Sequence, residues 1–128
     1  MNKRSVAKQL RRQVNEVRAD FPELKGVIIY GSFPYPGSRP NDVDLLLVFD
    51  RYLATEEYVD IDYVDKIHRI LGLFRNSDPN YHVNDFPLFL KDPTTEFGLQ
   101  QNKYIFIGNR TTRRIIRGVY PSAEEVRI

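Results

Sequence analysis

The chain contains no cysteine and no tryptophan among its 128 residues. Without cysteine it can form no disulfide, no thiolate metal site and no thiol nucleophile, which fits a reducing compartment. No stretch approaches the roughly 18 consecutive apolar residues that span a membrane. The basic start, MNKRSVAKQLRRQ, is followed by no apolar segment of signal-peptide length. These absences predict a cytoplasmic protein with no membrane partner.

Length and composition predict one folded domain, residues 1–128. The chain is about the size of an ordinary single domain, and a hydrophobic fraction of 41% is too high for a disordered protein. The net charge of +2 conceals an uneven distribution. Residues 1–25 carry 7 Lys/Arg and 3 Asp/Glu, residues 26–102 carry 6 and 12, and residues 103–128 carry 6 and 2. An acidic centre between basic ends is typical of a metal site beside an anion-binding surface, although solvated helix faces give the same pattern.

Hydrophobic periodicity predicts that helices and strands alternate along the chain. The predicted helices are 5–20, 56–74, 93–101 and a final basic helix that begins at Thr111 or Thr112. The predicted strands are 27–30, 43–49, 82–90 and 104–107. We therefore expect an α/β fold with a small mixed sheet of three to five strands and helices packed on one face.

Two carboxylates, Asp42 and Asp44, open an otherwise apolar predicted strand. Side chains two apart in a strand project from the same face, so both carboxylates point one way and Val43 points the other. Two acids this close repel each other unless a cation lies between them, and their oxygens are the hard ligands that Mg²⁺ prefers. The segment predicts a site for Mg²⁺ or Mn²⁺.

The dipeptide Gly31-Ser32 ends the preceding predicted strand. If the two strands are neighbours, it lies beside the carboxylates. Glycine lets a phosphate approach the backbone closely, and serine adds a hydroxyl and an amide donor for phosphate oxygens. Residues 32–41 contain three prolines and are predicted to form a loop. Gly-Ser or Asp-x-Asp alone is weak evidence, whereas their order, spacing and flanking strands make the combination specific.

In these residues the chain resembles the DNA polymerase beta nucleotidyltransferase superfamily, in its minimal single-domain form. The shared pattern is an apolar strand, Gly-Ser, a loop, and Asp-x-Asp opening a second apolar strand. The matching residues are Gly31, Ser32, Asp42, Asp44 and the apolar run 45–49. The close resemblance covers about residues 27–49, and the predicted helix before it and the predicted helix and strand after it extend it loosely to residue 90.

This resemblance implies that a nucleoside triphosphate and two Mg²⁺ ions are held by the acids, and that pyrophosphate leaves after in-line attack by a hydroxyl. It also implies a third acid on the next strand. Asp85 is the favoured candidate, while His82 and Asn84, on the other face of that strand, compete for the position. The family often has a short basic helix after Gly-Ser, which the prolines forbid here, and Arg39 is the predicted substitute for its charge.

Other polar residues have simpler explanations. Asp60 and Asp62 form a second Asp-x-Asp on the solvated face of a predicted helix, and His68 falls on the apolar stripe of that helix. The candidate phosphate- or nucleic-acid-binding residues of the final helix are Arg113, Arg114 and Arg117. Candidate base-stacking side chains are Tyr104, Phe106 and the tyrosines near the loop, for which core or edge packing is the alternative.

The predicted function is transfer of a nucleoside monophosphate to a hydroxyl of a protein, an RNA end or a small molecule. So short a chain has little room for its own acceptor domain, so we expect a protein partner or a homodimer. The minimal nucleotidyltransferase antitoxins, which resemble this chain, modify a partner toxin. Two alternatives stay open: a catalytically inactive regulatory or antitoxin-type protein on the same scaffold, and a small nucleic-acid-binding module.

Overall fold

The computed structural model describes residues 2–51, 60–91 and 102–128. The predicted helix over 93–101 lies outside the described residues. So does the predicted start of the second helix at residues 56–59.

Each helix of the described residues begins at a polar side chain that accepts a hydrogen bond from the first turn. The helices are α1 (Lys3–Asp20) after Asn2, α2 (Ile61–Ser77) after Asp60 and α3 (Arg110–Val119) after Asn109. The prediction that Thr111 or Thr112 begins α3 is wrong. Asn109 accepts a hydrogen bond at 2.8 Å from the backbone N–H of Thr112, whose side chain is buried instead.

The strands form one mixed sheet. They are β1 (Leu24–Tyr30), β2 (Val43–Phe49), β3 (Tyr81–Val83), β4 (Leu88–Phe89), β5 (Lys103–Gly108) and β6 (Glu124–Glu125). Their order is β3-β2-β1-β5-β6, and β4 also pairs with β2. β1 is antiparallel to β2 and β5, whereas β3 and β4 are parallel to β2. The prediction of a small α/β fold with a mixed sheet is confirmed.

The described sheet has six strands rather than three to five because the predicted strand 82–90 is two short strands. The chain bends after Val83 and resumes pairing with β2 at Leu88. Pro87 lies in the interruption, where its missing N–H costs no ladder hydrogen bond. β6 adds a further two-residue strand next to β5, at the opposite edge of the sheet from β3.

Helices cover both faces of the sheet, so the expectation that they pack on one face is wrong for α3. α1 and α2 bury their apolar stripes against one side of β1, β2 and β5, in a cluster that includes Leu10, Phe74 and Leu47. α3 packs on the opposite side, where Ile116 joins Ile28 and Leu46. Alternation along each strand explains the division, because neighbouring residues point to opposite faces.

No helix in the described part of the chain is long and apolar enough to cross a membrane.

Candidate functional site

The last residues of β1 and the first residues of β2 lie next to each other at the same end of the sheet. Because these strands are antiparallel and adjacent, Tyr30 pairs with Asp44, and the loop between them begins and ends at the same place. The Gly31-Ser32 dipeptide is therefore beside Asp42 and Asp44. The side chain of Asp44 points to the face of the sheet that α3 covers in part, since it alternates with Val43 in the opposite core.

Gly31 makes direct room for the Asp44 carboxylate. Its φ of +73° lies in the left-handed region, and a Cβ built on it would come within 2.3 Å of Asp44 Oδ2. Any other residue would meet both the backbone strain and the carboxylate oxygen. The glycine thus packs its backbone against the acid that begins the apolar part of β2.

His82 completes the cluster from β3. The parallel register places it opposite Asp44. Its Nε2 lies 3.7 Å from Asp42 Oδ1, and its Nδ1 lies 3.9 Å from Asp44 Oδ1. Asp42 and His82 are more than half exposed, and Asp44 is about one-third exposed. A solvent-facing group of two carboxylates and one imidazole results.

The surroundings of Asp44 favour its neutral form. Burial is the largest cause that raises the pKa of this carboxyl, His82 acts in the opposite direction, and Asp42 raises it further. Burial likewise raises the pKa of the neighbouring Tyr30 phenol. A hydrogen bond at 3.5 Å from Asn84 Nδ2 lowers that pKa, and the Asp44 charge raises it. A cation between the carboxylates would relieve the repulsion between them.

The structure does not bring Asp85 to the acid pair. Its carboxylate accepts a hydrogen bond at 2.8 Å from Arg75 of α2, and its side chain is 81% exposed. The reason is strand parity: His82 faces Asp44, so the odd-numbered residues of β3 face α1 and α2. Beyond β3, the side chain of Asn84 accepts from the N–H of Phe86 and turns the chain. We therefore withdraw the expected triad of Asp42, Asp44 and Asp85.

Lys3 holds the loop that follows Gly31-Ser32. Its ammonium donates to the backbone oxygen of Tyr35 at 2.7 Å and to Ser38 Oγ at 3.0 Å, and it lies 5.6 Å from the ring centroid of buried Phe33. This contact spans more than 30 residues of sequence, so no local pattern in the loop could have predicted it. Lys3 of α1 thus brings a positive charge to this loop.

Arg39, predicted to supply that charge, is exposed on the same loop. Among the described residues its guanidinium makes no hydrogen bond or ion pair in the structure. Its role as a phosphate ligand stays a prediction.

No family model, curated protein or solved structure matches this chain.

The resemblance to the polymerase beta superfamily therefore stays a prediction from the motif. Two carboxylates supply the oxygen donors that suit Mg²⁺ and Mn²⁺, and an imidazole stands within 4 Å of both. These donor types suit a divalent cation, and binding of Mg²⁺ or Mn²⁺ at the cluster stays a prediction. Within the described residues, no group of three or more His, Asp or Glu side chains is arranged to hold a metal by itself.

The remaining predicted residues lie away from this cluster. Asp60 is the N-cap of α2 and accepts from the N–H of Tyr63 at 3.0 Å, and Asp62 is in the first turn. His68 is exposed rather than on the apolar stripe. Tyr104 and Phe106 are only 1% and 2% exposed, so core packing accounts for both.

Proposed function

We propose that this protein is a metal-dependent, cytoplasmic nucleotidyltransferase that moves a nucleoside monophosphate from a nucleoside triphosphate to a hydroxyl acceptor. The observation that carries the proposal is the contact between Gly31 and Asp44 beside Asp42. The exposed Gly31-Ser32 turn and a pair of carboxylates for a cation are thereby within reach of one substrate.

Each residue of the site has a role that follows from its chemistry. Asp42 and Asp44 would hold Mg²⁺ or Mn²⁺, which, when bound, neutralises phosphate charge. The Gly31 backbone makes room for the Asp44 carboxylate, and the exposed hydroxyl of Ser32 donates to a phosphate oxygen. Both act by positioning, which supplies most of the catalysis in phosphoryl-transfer chemistry.

His82 lies opposite Asp44 on β3, where the resemblance implies a third acid. In its neutral form the imidazole accepts the proton of the attacking hydroxyl. The hydroxyl oxygen forms a bond to the α-phosphorus, the bond from that phosphorus to the bridging oxygen breaks, and pyrophosphate leaves with its electron pair. The proton that leaves the acceptor thus stays on a ring nitrogen of His82 until solvent removes it.

Labelled ATP, CTP, GTP and UTP, incubated with the protein, Mg²⁺ or Mn²⁺ and a host lysate, test this proposal. We expect label on a macromolecule or small acceptor with wild type and none with Asp44→Asn. Asp60→Asn is the matched control, because asparagine caps a helix as well as aspartate and the removed charge is distant from the cluster. Equal loss in both variants would place the chemistry elsewhere.

A second candidate is a regulatory scaffold that binds metal and nucleotide without transfer. The observation in its favour is the ion pair of Asp85 with Arg75, which leaves the acid pair without a third carboxylate from β3. Titration calorimetry with Mn²⁺ and a nucleotide analogue whose α,β bridge resists cleavage separates the two. Binding that depends on Asp44, without transfer from any of the four nucleotides, favours the scaffold.

A further inference from the structure

α3 carries its arginines in a single stripe. They are Arg110, Arg113, Arg114 and Arg117. Positions separated by three, four and seven residues lie on one side of a helix, whereas Thr112 and Ile116 are buried on the opposite side. The stripe is therefore not a random distribution of surface charge around the helix.

Part of the stripe is fixed in place by a buried carboxylate. Glu125 is 5% exposed and accepts from Arg113 Nε at 2.8 Å and from Arg117 at 3.1 Å, while Arg127 Nε lies 3.8 Å from it. Arg113 also lies over the ring of Phe106, with 5.6 Å between the guanidinium carbon and the ring centroid. Three guanidinium groups thus converge on one carboxylate and leave two positive charges in excess.

The guanidinium groups retain donors for a ligand. Each carries five N–H groups, and the contacts with Glu125 use only one or two of them. Arg117 and Arg127 are 54% and 65% exposed, so their remaining donors reach solvent. The carboxylate orients these side chains before any ligand arrives, which lowers the entropy lost on binding.

Helix stability does not explain Arg110 and Arg114, the two arginines of the stripe that do not contact Glu125. The first turn of α3 contains no acidic residue and begins with Arg110. Positive charge at a helix N-terminus opposes the helix dipole, and like charges at three and four residue spacing repel each other. The exposed Arg110 and Arg114 therefore point to a ligand of opposite charge.

We propose that the arginine stripe of α3 binds the sugar–phosphate backbone of a polynucleotide. The planar guanidinium fork matches phosphate oxygens. At about 1.5 Å of rise per residue, Arg110 to Arg117 span roughly 10 Å, enough for two or three successive phosphates of one strand. The apolar side of α3 packs on the sheet, and Ile115 is its one large exposed apolar side chain, which is too little apolar surface to insert into a membrane.

This binding surface does not depend on the proposed transfer activity. It does lie on the same face of the sheet as Asp44, because Ile116 of α3 belongs to the same buried cluster as Leu46, which is two residues after Asp44 on β2. Glu125, which Arg113 and Arg117 of α3 contact, lies in β6. Three strand spacings, or about 14 Å, separate β6 from β2. A polynucleotide strand bound along α3 would therefore lie on the same face of the sheet as the acid cluster.

Fluorescence anisotropy with a labelled single-stranded oligouridylate, in EDTA and without nucleoside triphosphate, tests the proposal. EDTA removes any metal from Asp42 and Asp44, so failure of the proposed enzyme does not affect the result. The test variant is Arg110→Gln with Arg114→Gln, two exposed arginines outside the Glu125 contacts. The matched control is Arg11→Gln with Arg12→Gln, which removes the same charge from the exposed side of α1, across the sheet.

We expect the α3 variant to bind about ten-fold more weakly than wild type, and the slope of log affinity against log salt to fall by about 1.4, which corresponds to two phosphate contacts on a single strand. The α1 variant should stay within about two-fold of wild type. Thermal melts establish that both variants fold. Equal weakening in both variants would reduce the effect to net charge and overturn the assignment. Tighter binding of polyglutamate or of anionic lipid vesicles than of oligouridylate would overturn it as well.

Discussion

At Gly31 even the methyl side chain of alanine would collide with an oxygen of the Asp44 carboxylate. We predict that Gly31→Ala lowers the free energy of unfolding by about 2–3 kcal/mol, combining left-handed backbone strain with a smaller cost for displacing the Asp44 carboxylate. Gly37 is the matched control, since its φ of +76° is similar but a Cβ there meets nothing within 4 Å. Gly37→Ala should cost only about 1 kcal/mol. Denaturant titration of both variants measures the difference, and equal losses would remove the carboxylate contact from the explanation.

Asp44 provides a second prediction, on metal binding. In wild type, Mn²⁺ at ten times its dissociation constant should stabilise the fold by about 1.4 kcal/mol and raise the melting temperature by several degrees. Asp44→Asn should abolish this shift. It should melt at or slightly above wild type without metal, because it removes both a partly buried charge and its repulsion with Asp42. Asp60→Asn should keep the full metal response, and a wild-type melting temperature unmoved by millimolar Mn²⁺ and nucleotide would count heavily against the site.

The same residues show how far the sequence alone could specify the site. Gly31 and Asp44 come together through a local antiparallel hairpin, so their proximity follows from short-range sequence. The third position depends on the register of β3 against β2, which lie far apart in sequence and pair in parallel. A shift of one residue exchanges His82 for its neighbours, and period-two alternation cannot choose between the two sets. The choice of Asp85 failed for that reason.

At the scale of elements, α1 and the loop after Gly31 are joined through Lys3. We predict that Lys3→Met raises the hydrogen-exchange rates of the Tyr35 and Ser38 amides about ten-fold, because both amides close turns within the loop that Lys3 anchors. Global stability should fall by less than about 1 kcal/mol, since the contact is largely exposed.

Lys8→Met is the control for Lys3→Met, as Lys8 is exposed further along the same helix. It changes the same charge without touching the loop and should leave both exchange rates unchanged. Unaltered exchange in the Lys3 variant would mean that the prolines alone hold the loop.

α3 and β6 are joined through Glu125. Glu125→Gln should destabilise the fold by about 2 kcal/mol, below the usual cost of breaking a buried ion pair because Arg117 and Arg127 are more than half exposed. Glu124→Gln is the matched control: this neighbour is 69% exposed and pairs with Lys103, so its loss should cost under about 1 kcal/mol. Unfolding titrations at low and high salt measure both, and similar values would show that burial of Glu125 contributes nothing.

Long elements were predictable and short ones were not. The apolar stripes of α1 and α2 and the apolar runs of β1, β2 and β5 are carried by their own residues. β4 and β6 are two residues long and exist only because β2 and β5 offer hydrogen-bonding partners. The side on which α3 packs is likewise set by how the chain leaves β5, and no periodicity within a ten-residue helix encodes it.

For the whole molecule, two buried tyrosines predict how stability depends on pH. Burial is the main cause that raises the pKa of Tyr63 and of Tyr81 to about 12, against 10.0 in an unperturbed phenol. As pH rises past the unfolded value, the unfolded chain loses these protons while the folded chain keeps them. The stabilisation is therefore complete below about pH 10 and is lost as pH rises toward about 12, by roughly 2 kcal/mol for each tyrosine.

The two phenylalanine variants should separate this linkage from ordinary hydrogen bonding. Tyr63 donates to the backbone oxygen of Arg51 at 2.6 Å, so Tyr63→Phe should cost about 1 kcal/mol at neutral pH. The Tyr81 hydroxyl is buried with no hydrogen-bond partner among the described residues, so Tyr81→Phe should be nearly neutral there. Both variants should lose less stability than wild type between about pH 10 and 12, because each removes one group that ionises preferentially in the unfolded chain. Urea titrations across that range measure the slopes, and a wild-type slope shared by both variants would assign the alkaline loss to other groups.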